Sequence, residues 1–153
     1  MFRIASLFWL LVCLGVSDGK LFGGVWQIWT RTGDIDHGGS DANVYLHLIN
    51  ADAKNSPPLH LDEPLRNDFE RGQYAPYLFV TNTHFEDVCW IRMYRDNLGF
   101  SPNLYIDWVR VKTVYMHHHR VFEVYGWVPT EEEERNNNFI TERKPPCRAG
   151  HLD

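Results

Sequence analysis

Hydrophobic and polar side chains alternate along much of this chain with a period of two, the spacing of a strand that buries one face. Trp26, Ile28 and Thr30 alternate with Gln27, Trp29 and Arg31, and Val44, Leu46 and Leu48 alternate with Tyr45, His47 and Ile49. Further apolar runs occupy residues 77–80, 88–94, 104–114 and 120–127, separated by stretches rich in Gly, Pro, Asn and Asp at 33–41, 55–58 and 96–103. Several strands at this spacing, without an amphipathic helix, predict an all-β antiparallel sandwich. In the run that starts at Leu104 the apolar phase shifts: Leu104 and Ile106 share one parity, Val109 and Val111 the other. A bulge near Asp107 and Trp108 would let all four face inward. From Thr130 the chain turns polar, with four consecutive Glu from Glu131, three Asn from Asn136 and the Pro145-Pro146 pair, and reads as a tail.

The first 19 residues have the layout of a secretory signal peptide: Arg3, an apolar run over 4–16, then the small residues Gly15, Ser17 and Gly19. The run is shorter than the roughly 18–20 apolar residues of a membrane span. The expected organisation is therefore a signal peptide at 1–19, a β-sandwich at 22–129 and a polar tail at 130–153, in a secreted, extracellular protein. Composition allows one well-filled core, since 44% of the 153 residues are hydrophobic and 14% aromatic. The formal net charge of −5 supplies no global basic field for nucleic acid. With Cys13 removed in the signal peptide, Cys89 and Cys147 remain. In an oxidising compartment they either pair, pinning the tail to the body, or stay a buried strand thiol and a tail thiol; the sequence gives no distance between them. No Asn-x-Ser/Thr sequon occurs.

Three segments in order carry a family resemblance. The first is Thr32-Gly33-Asp34 followed by Gly39-Ser40-Asp41-Ala42-Asn43-Val44-Tyr45-Leu46, and the second is Asn67-Asp68-Phe69-Glu70-Arg71-Gly72. The third is Ile91-Arg92-Met93 running to Arg95-Asp96-Asn97, then Pro102 and the strand from Leu104, closed by Phe122 and Trp127. Together they resemble the PLAT (lipoxygenase-homology) domain of polycystins, pancreatic-type lipases, lipoxygenases and clostridial alpha-toxin, over about residues 25–128. Two departures are Leu104, where the family often has Trp, and Ser40, where it often has Thr. The resemblance implies two four-stranded sheets, and loops at one end that bind Ca²⁺ and approach lipid.

Ca²⁺ takes six to eight oxygens, and two loop clusters offer them. Asp34, Asp36 and Asp41 share one Gly-rich loop, where Gly39 and Ser40 would turn backbone oxygens to an ion, and Asp96 and Asn97 would complete the site across the tip. Asn67, Asp68 and Glu70 form the second. By resemblance, Gly39, Ser40 and Asp41 match one family Ca²⁺ site, and Asn67, Asp68 and Glu70 match another. The competing reading is that Asp34 and Asp41 cap turns and that Glu70 pairs with Arg71. Acids outnumber bases between residues 20 and 129, but Asp34, Asp36, Asp41, Asp68, Glu70 and Asp96 account for more than the excess. Neutralising them would let this end approach an anionic surface. Ile35, Leu98 and Phe100 stand beside these loops, either as lipid contacts or folded back onto the core.

His117-His118-His119 is a weak metal motif, because neighbouring strand residues point to opposite faces. The Glu run after Thr130 reads as a solvated start of the tail. No Gly-x-Ser-x-Gly elbow, His-Glu-x-x-His or phosphate-cradling Gly-rich loop is present. The catalytic domains that accompany this module in lipases and lipoxygenases have no room in this chain. The expected function is non-enzymatic: Ca²⁺-assisted attachment of the loop end to lipid or a membrane surface. The alternative is an extracellular protein-interaction module that docks by the acidic tail or by a sheet face bearing Trp29 and Trp108, unless the tail covers those rings.

Overall fold

The computed structural model describes residues 24–83, 85–113, 118–137, 140–144 and 147; the expected signal peptide and His117 lie outside them. Eight strands and one short helix occur among these residues: β1 (Val25–Thr32), β2 (Val44–Ile49), β3 (Leu59–His60), β4 (Tyr74–Val80), β5 (Trp90–Arg95), β6 (Tyr105–Thr113), β7 (Arg120–Trp127), α1 (Glu131–Asn137) and β8 (Ile140–Glu142). They form two four-stranded sheets, ordered β4-β1-β6-β7 and β3-β2-β5-β8, with every strand pair antiparallel. This is the sandwich that the alternation predicts.

Alternation decides which side chains meet between the sheets. Trp26 and Ile28 of β1, Val44, Leu46 and Leu48 of β2, Ile91 and Met93 of β5, and Phe122 of β7 are buried, together with residues of β6. The Trp26 indole is too large to bury with its N–H unpaired, and Nε1 donates to Thr81 Oγ1 at 2.9 Å. Ile49, on the outward parity, is also buried: the bridge it makes to Asn55 folds the next loop across it.

The phase shift in β6 is a bulge. Opposite β1, Arg31 pairs with Trp108 and Thr32 with Ile106, so Asp107 is the extra residue. Opposite β7 the register also slips, from Ile106–Gly126 to Trp108–Glu123. The consequence is that Leu104, Ile106, Val109 and Val111 are all fully buried.

The segment expected to be a tail is part of the domain. Thr130 caps α1: its Oγ1 accepts from the Glu133 amide at 3.3 Å, and the Glu133 carboxylate accepts from the Thr130 amide at 2.8 Å. Glu134 points inward to Arg92 of β5, a 3.1 Å contact whose geometry is ionic rather than hydrogen-bonded. β8 then pairs with β5 and completes the second sheet. Beyond it a disulfide joins Cys147 to Cys89, with Cα atoms 5.3 Å apart. Trp29 and Trp108, on the outer face of the first sheet, are both half-buried. Trp29 packs edge-on against His119, and Trp108 lies between Tyr74 and Arg110.

Candidate functional site: the loop end of the sandwich

Antiparallel pairing brings three connections to one end: 33–43 after β1, 61–73 before β4 and 96–104 before β6. Backbone bonds stitch them into one platform. Ser40 N donates to Phe69 O at 3.0 Å, Gly72 N to Gly33 O at 3.2 Å, Asp41 N to Ser101 O at 3.1 Å and Tyr105 N to Gly38 O at 2.9 Å. The Ser40 hydroxyl adds a bond to Pro102 O at 2.9 Å. Gly39 is needed for this closeness, since a Cβ there would come within 2.9 Å of Arg71 N and Phe69 O. The two acidic clusters thus adjoin in space.

Most of their oxygens already have protein donors. Arg71 bridges Asp34 through Nε at 2.8 Å and Asp36 through Nη1 at 2.7 Å. This replaces the expected Glu70–Arg71 pair. Asp68 accepts from the Glu63 amide at 2.7 Å and from Arg66 Nε, and that guanidinium lies over the Tyr77 ring at 4.8 Å. Asn67 donates to Glu70, and Gln73 ties both down through Asn67 O and the Glu70 amide. Asp96 accepts from the Asn43 amide at 3.0 Å and the Leu98 amide at 3.2 Å. Partial desolvation works against its charge, but the Asn43 side chain and these amides win and hold its carboxyl below the usual range. Asn97 accepts from Arg95. Only Asp41, exposed at the tip, has a carboxylate outside the hydrogen bonds of the described residues.

A Ca²⁺ site here would draw on Asp41 and on the second oxygens of Asp34, Asp36 and Glu70, which lie outside the hydrogen bonds among the described residues. Such a site requires several oxygens free to converge on one point. Among the described residues, no three His, Cys, Asp or Glu side chains gather where they could hold a metal ion. In this arrangement all of the suggested acids except Asp41 order the loops through arginine, amide and backbone N–H groups. Of the histidine run, His118 and His119 are exposed, and the His119 ring packs edge-on against Trp29.

The apolar residues at this end do not fold back. Leu98 is 64% exposed, Phe100 is fully exposed, and Ile35 is at the edge of exposure. Gly99, at φ +93°, turns the chain so that Phe100 projects; a Cβ on it would strike Asp41. Sequence reasoning missed Leu65, fully exposed on the neighbouring loop at φ +72°. A leucine in that backbone region is uncommon, and nothing in its own sequence neighbourhood announces it.

Comparison with known proteins agrees with this architecture. The PLAT/LH2 domain family model matches residues 26–140, through α1 and into β8, well past the boundary expected at 129. The human lipoxygenase homology domain-containing protein 1 is 30% identical over 112 residues, covering 72% of this chain and 5% of that protein. The mouse polycystin-1-like protein 3 is 28% identical over 100 residues, 65% of this chain and 5% of the relative. This chain thus spans only about a twentieth of the curated relatives it matches. Among solved structures, coral 8R-lipoxygenase, described as calcium-activated via a C2-like domain, superposes with TM-score 0.65 at 21% identity, covering 78% of this chain and 17% of that one. Alpha toxin from Clostridium absonum gives TM-score 0.59 at 18% identity, covering 90% and 35%. On the family match, the strand order and the shared sandwich, the chain belongs to the PLAT/LH2 domain family.

Proposed function

We propose that this protein is a non-enzymatic binding module that attaches to lipid or a membrane surface by its loop end. The observation that carries the reading is the display of Leu65, Leu98 and Phe100 on loops that converge at one end, each held out by ordered backbone rather than packed on the core. Apolar side chains presented on a rigid rim gain by entering the interface between headgroups and acyl chains. The relatives add support, since one structural neighbour is described as activated by calcium through a C2-like domain. Calcium assistance belongs to the same proposal: the ion would draw on Asp41 and on the second oxygens of Asp34, Asp36 and Glu70, which the chain's own donors leave over. Export is part of the proposal, supported by the signal-like N-terminus and by a disulfide, which persists in oxidising compartments.

The test is co-sedimentation of the full chain with phosphatidylcholine and phosphatidylglycerol vesicles, in Ca²⁺ and in chelator. Burying a Leu or Phe side chain contributes about 1.5–3 kcal/mol, so Leu65→Ala with Phe100→Ala should weaken binding at least about tenfold. A double variant that pellets like the parent overturns the reading. Pelleting that is the same in Ca²⁺ and in chelator would remove the calcium role and leave attachment through the apolar rim alone.

A second reading rests on the outer face of the first sheet. Tyr74, Leu78 and Val80 are exposed beside Trp29 and Trp108, the kind of aromatic and aliphatic surface on which protein interfaces concentrate binding energy. Under that reading Trp108→Ala abolishes partner capture, while the loop variants leave it intact.

A further inference from the structure

Beside the loop platform, the end of β7 and the start of α1 border a half-open pocket of about 350 Å³ lined by Arg95, Asn103, Trp127, Val128, Pro129 and Glu133. One of these lining residues is a buried cation. Arg95 is 7% exposed, and its guanidinium donates to four neutral oxygens: Val128 O from Nε, Asp96 O and Asn97 Oδ1 from Nη1, and Asn103 Oδ1 from Nη2. Four acceptors serve five N–H groups, and no carboxylate is hydrogen-bonded to this charge. Burial pushes the guanidinium below the usual arginine range, partly offset by the charges of Glu133 and Asp96.

Glu133 lines the same pocket as an anion. The Glu133 carboxylate accepts from both the amide and the hydroxyl of Thr130, which lowers its pKa and keeps it charged at physiological pH. Only one of its oxygens is used in that cap; the other remains for a ligand. Trp127, half exposed and braced edge-on by Tyr105 at 5.3 Å, supplies an aromatic surface to the same pocket.

This layout selects by charge at both ends. A lone anion drawn to Arg95 meets the repulsion of Glu133, and a lone cation drawn to Glu133 meets Arg95. A small zwitterion satisfies both. The cationic end best suited to a tryptophan surface and a single carboxylate oxygen is a quaternary ammonium, which needs no hydrogen-bond acceptors. The anionic end best suited to a guanidinium is a phosphate. We infer that the Arg95–Trp127–Glu133 pocket is a phosphocholine site, with phosphate toward Arg95 and trimethylammonium between Trp127 and Glu133. The inference deepens the lipid-attachment reading and rests on it for the source of the ligand. Because the pocket is lined by residues at the same end of the sandwich as Phe100, a choline lipid would be held by its headgroup while the rim enters the membrane.

Calorimetric titration of the full chain with phosphocholine, choline, inorganic phosphate and phosphoethanolamine tests it. Phosphocholine should bind saturably and about tenfold or more tighter than the other three. Glu133→Gln, which can retain the helix cap, should lose about tenfold in affinity at unchanged melting temperature, and Trp127→Leu should lose at least as much. Equal binding of phosphate reduces the pocket to an anion site, equal binding of choline to a cation site, and equal binding of phosphoethanolamine removes the choline preference; each overturns the inference, as does absence of phosphocholine binding. Vesicles separate this idea from the broader one. Attachment to phosphatidylcholine vesicles that Glu133→Gln leaves intact, with no binding of free phosphocholine, sinks the pocket and spares the attachment. Binding of free phosphocholine without attachment to vesicles of any composition does the reverse, pointing to a soluble source of the same group.

Discussion

The disulfide gives the sharpest stability prediction. Cys147→Ser removes a crosslink between residues separated by 58 positions, and leaves Cys89, which is 1% exposed, as a small buried thiol. Closing a loop of that length restricts the unfolded chain by about 4 kcal/mol in the chain-entropy model. The native contacts of the segment survive the substitution: β8 keeps its pairs with Trp90, Ile91 and Arg92, and Arg143 keeps Asp87 at 2.8 Å. The net loss should therefore fall at about 2–4 kcal/mol, or roughly 10 °C in Tm for a domain of this size.

The assay is urea unfolding of parent and variant, with a scan of the parent in reductant as an independent route to the same state. Both should shift the midpoint downward together, and the β8 amides and the Arg143 amide, which donates to Cys89 O, should exchange fastest. If neither reduction nor Cys147→Ser moves the midpoint, the crosslink is not constraining the unfolded chain and the reasoning fails.

Other consequences follow from the same structure. Phe122→Ala empties a fully buried site between the sheets and should cost about 3–5 kcal/mol in urea unfolding, whereas Phe100→Ala should stay within about 0.5 kcal/mol of the parent. Glu134→Ala strips the partner from Arg92 on the second sheet and should cost about 3 kcal/mol, far more than neutralising exposed Asp34 and Asp36 beside Arg71, at under about 1 kcal/mol. Because the Asp96 carboxyl is held below its unfolded value, its contribution is fully present above about pH 4 and disappears as pH falls through the lower folded pKa. Asp96→Asn should therefore flatten the acid limb of stability, read as urea midpoints between pH 5 and 2.

What the sequence disclosed follows from which signals are local. A period of two over six to nine residues is enough to mark β1, β2, β6 and β7, and the parity change at Asp107 marks the bulge, because each depends only on neighbouring positions. β8 escaped because three residues cannot display a period, and its strand character comes from pairing with β5. The cap of α1 was legible in principle: Thr130-Glu131-Glu132-Glu133 has capping-box spacing, masked by reading the Glu run as solvated charge. The acidic loops were only partly legible, for a different reason. A carboxylate in a sequence shows its capacity to accept, but not the donors that come from elsewhere. Arg71 meets Asp34 across 37 positions, and the Asn43 amide meets Asp96 across 53.

The segment after Trp127 ties these observations together, because it runs the length of the second sheet. At the loop end, Pro129 O accepts from the Arg95 amide, Thr130 bridges to Arg95, and Glu133 walls the pocket. At the far end, Cys147 closes on Cys89, just before β5 begins. One strap therefore builds the pocket and secures the sheet, through anchors at opposite ends of the same strand. The pocket anchors are backbone bonds around a buried guanidinium, and they do not pass through the sulfur bridge. Loss of the disulfide should consequently lower global stability while leaving Arg95, Trp127 and Glu133 in register. A phosphocholine affinity that survives Cys147→Ser at temperatures well below its Tm would show that the two ends are energetically separate. An affinity that falls in step with stability would show that the strap behaves as a single cooperative unit.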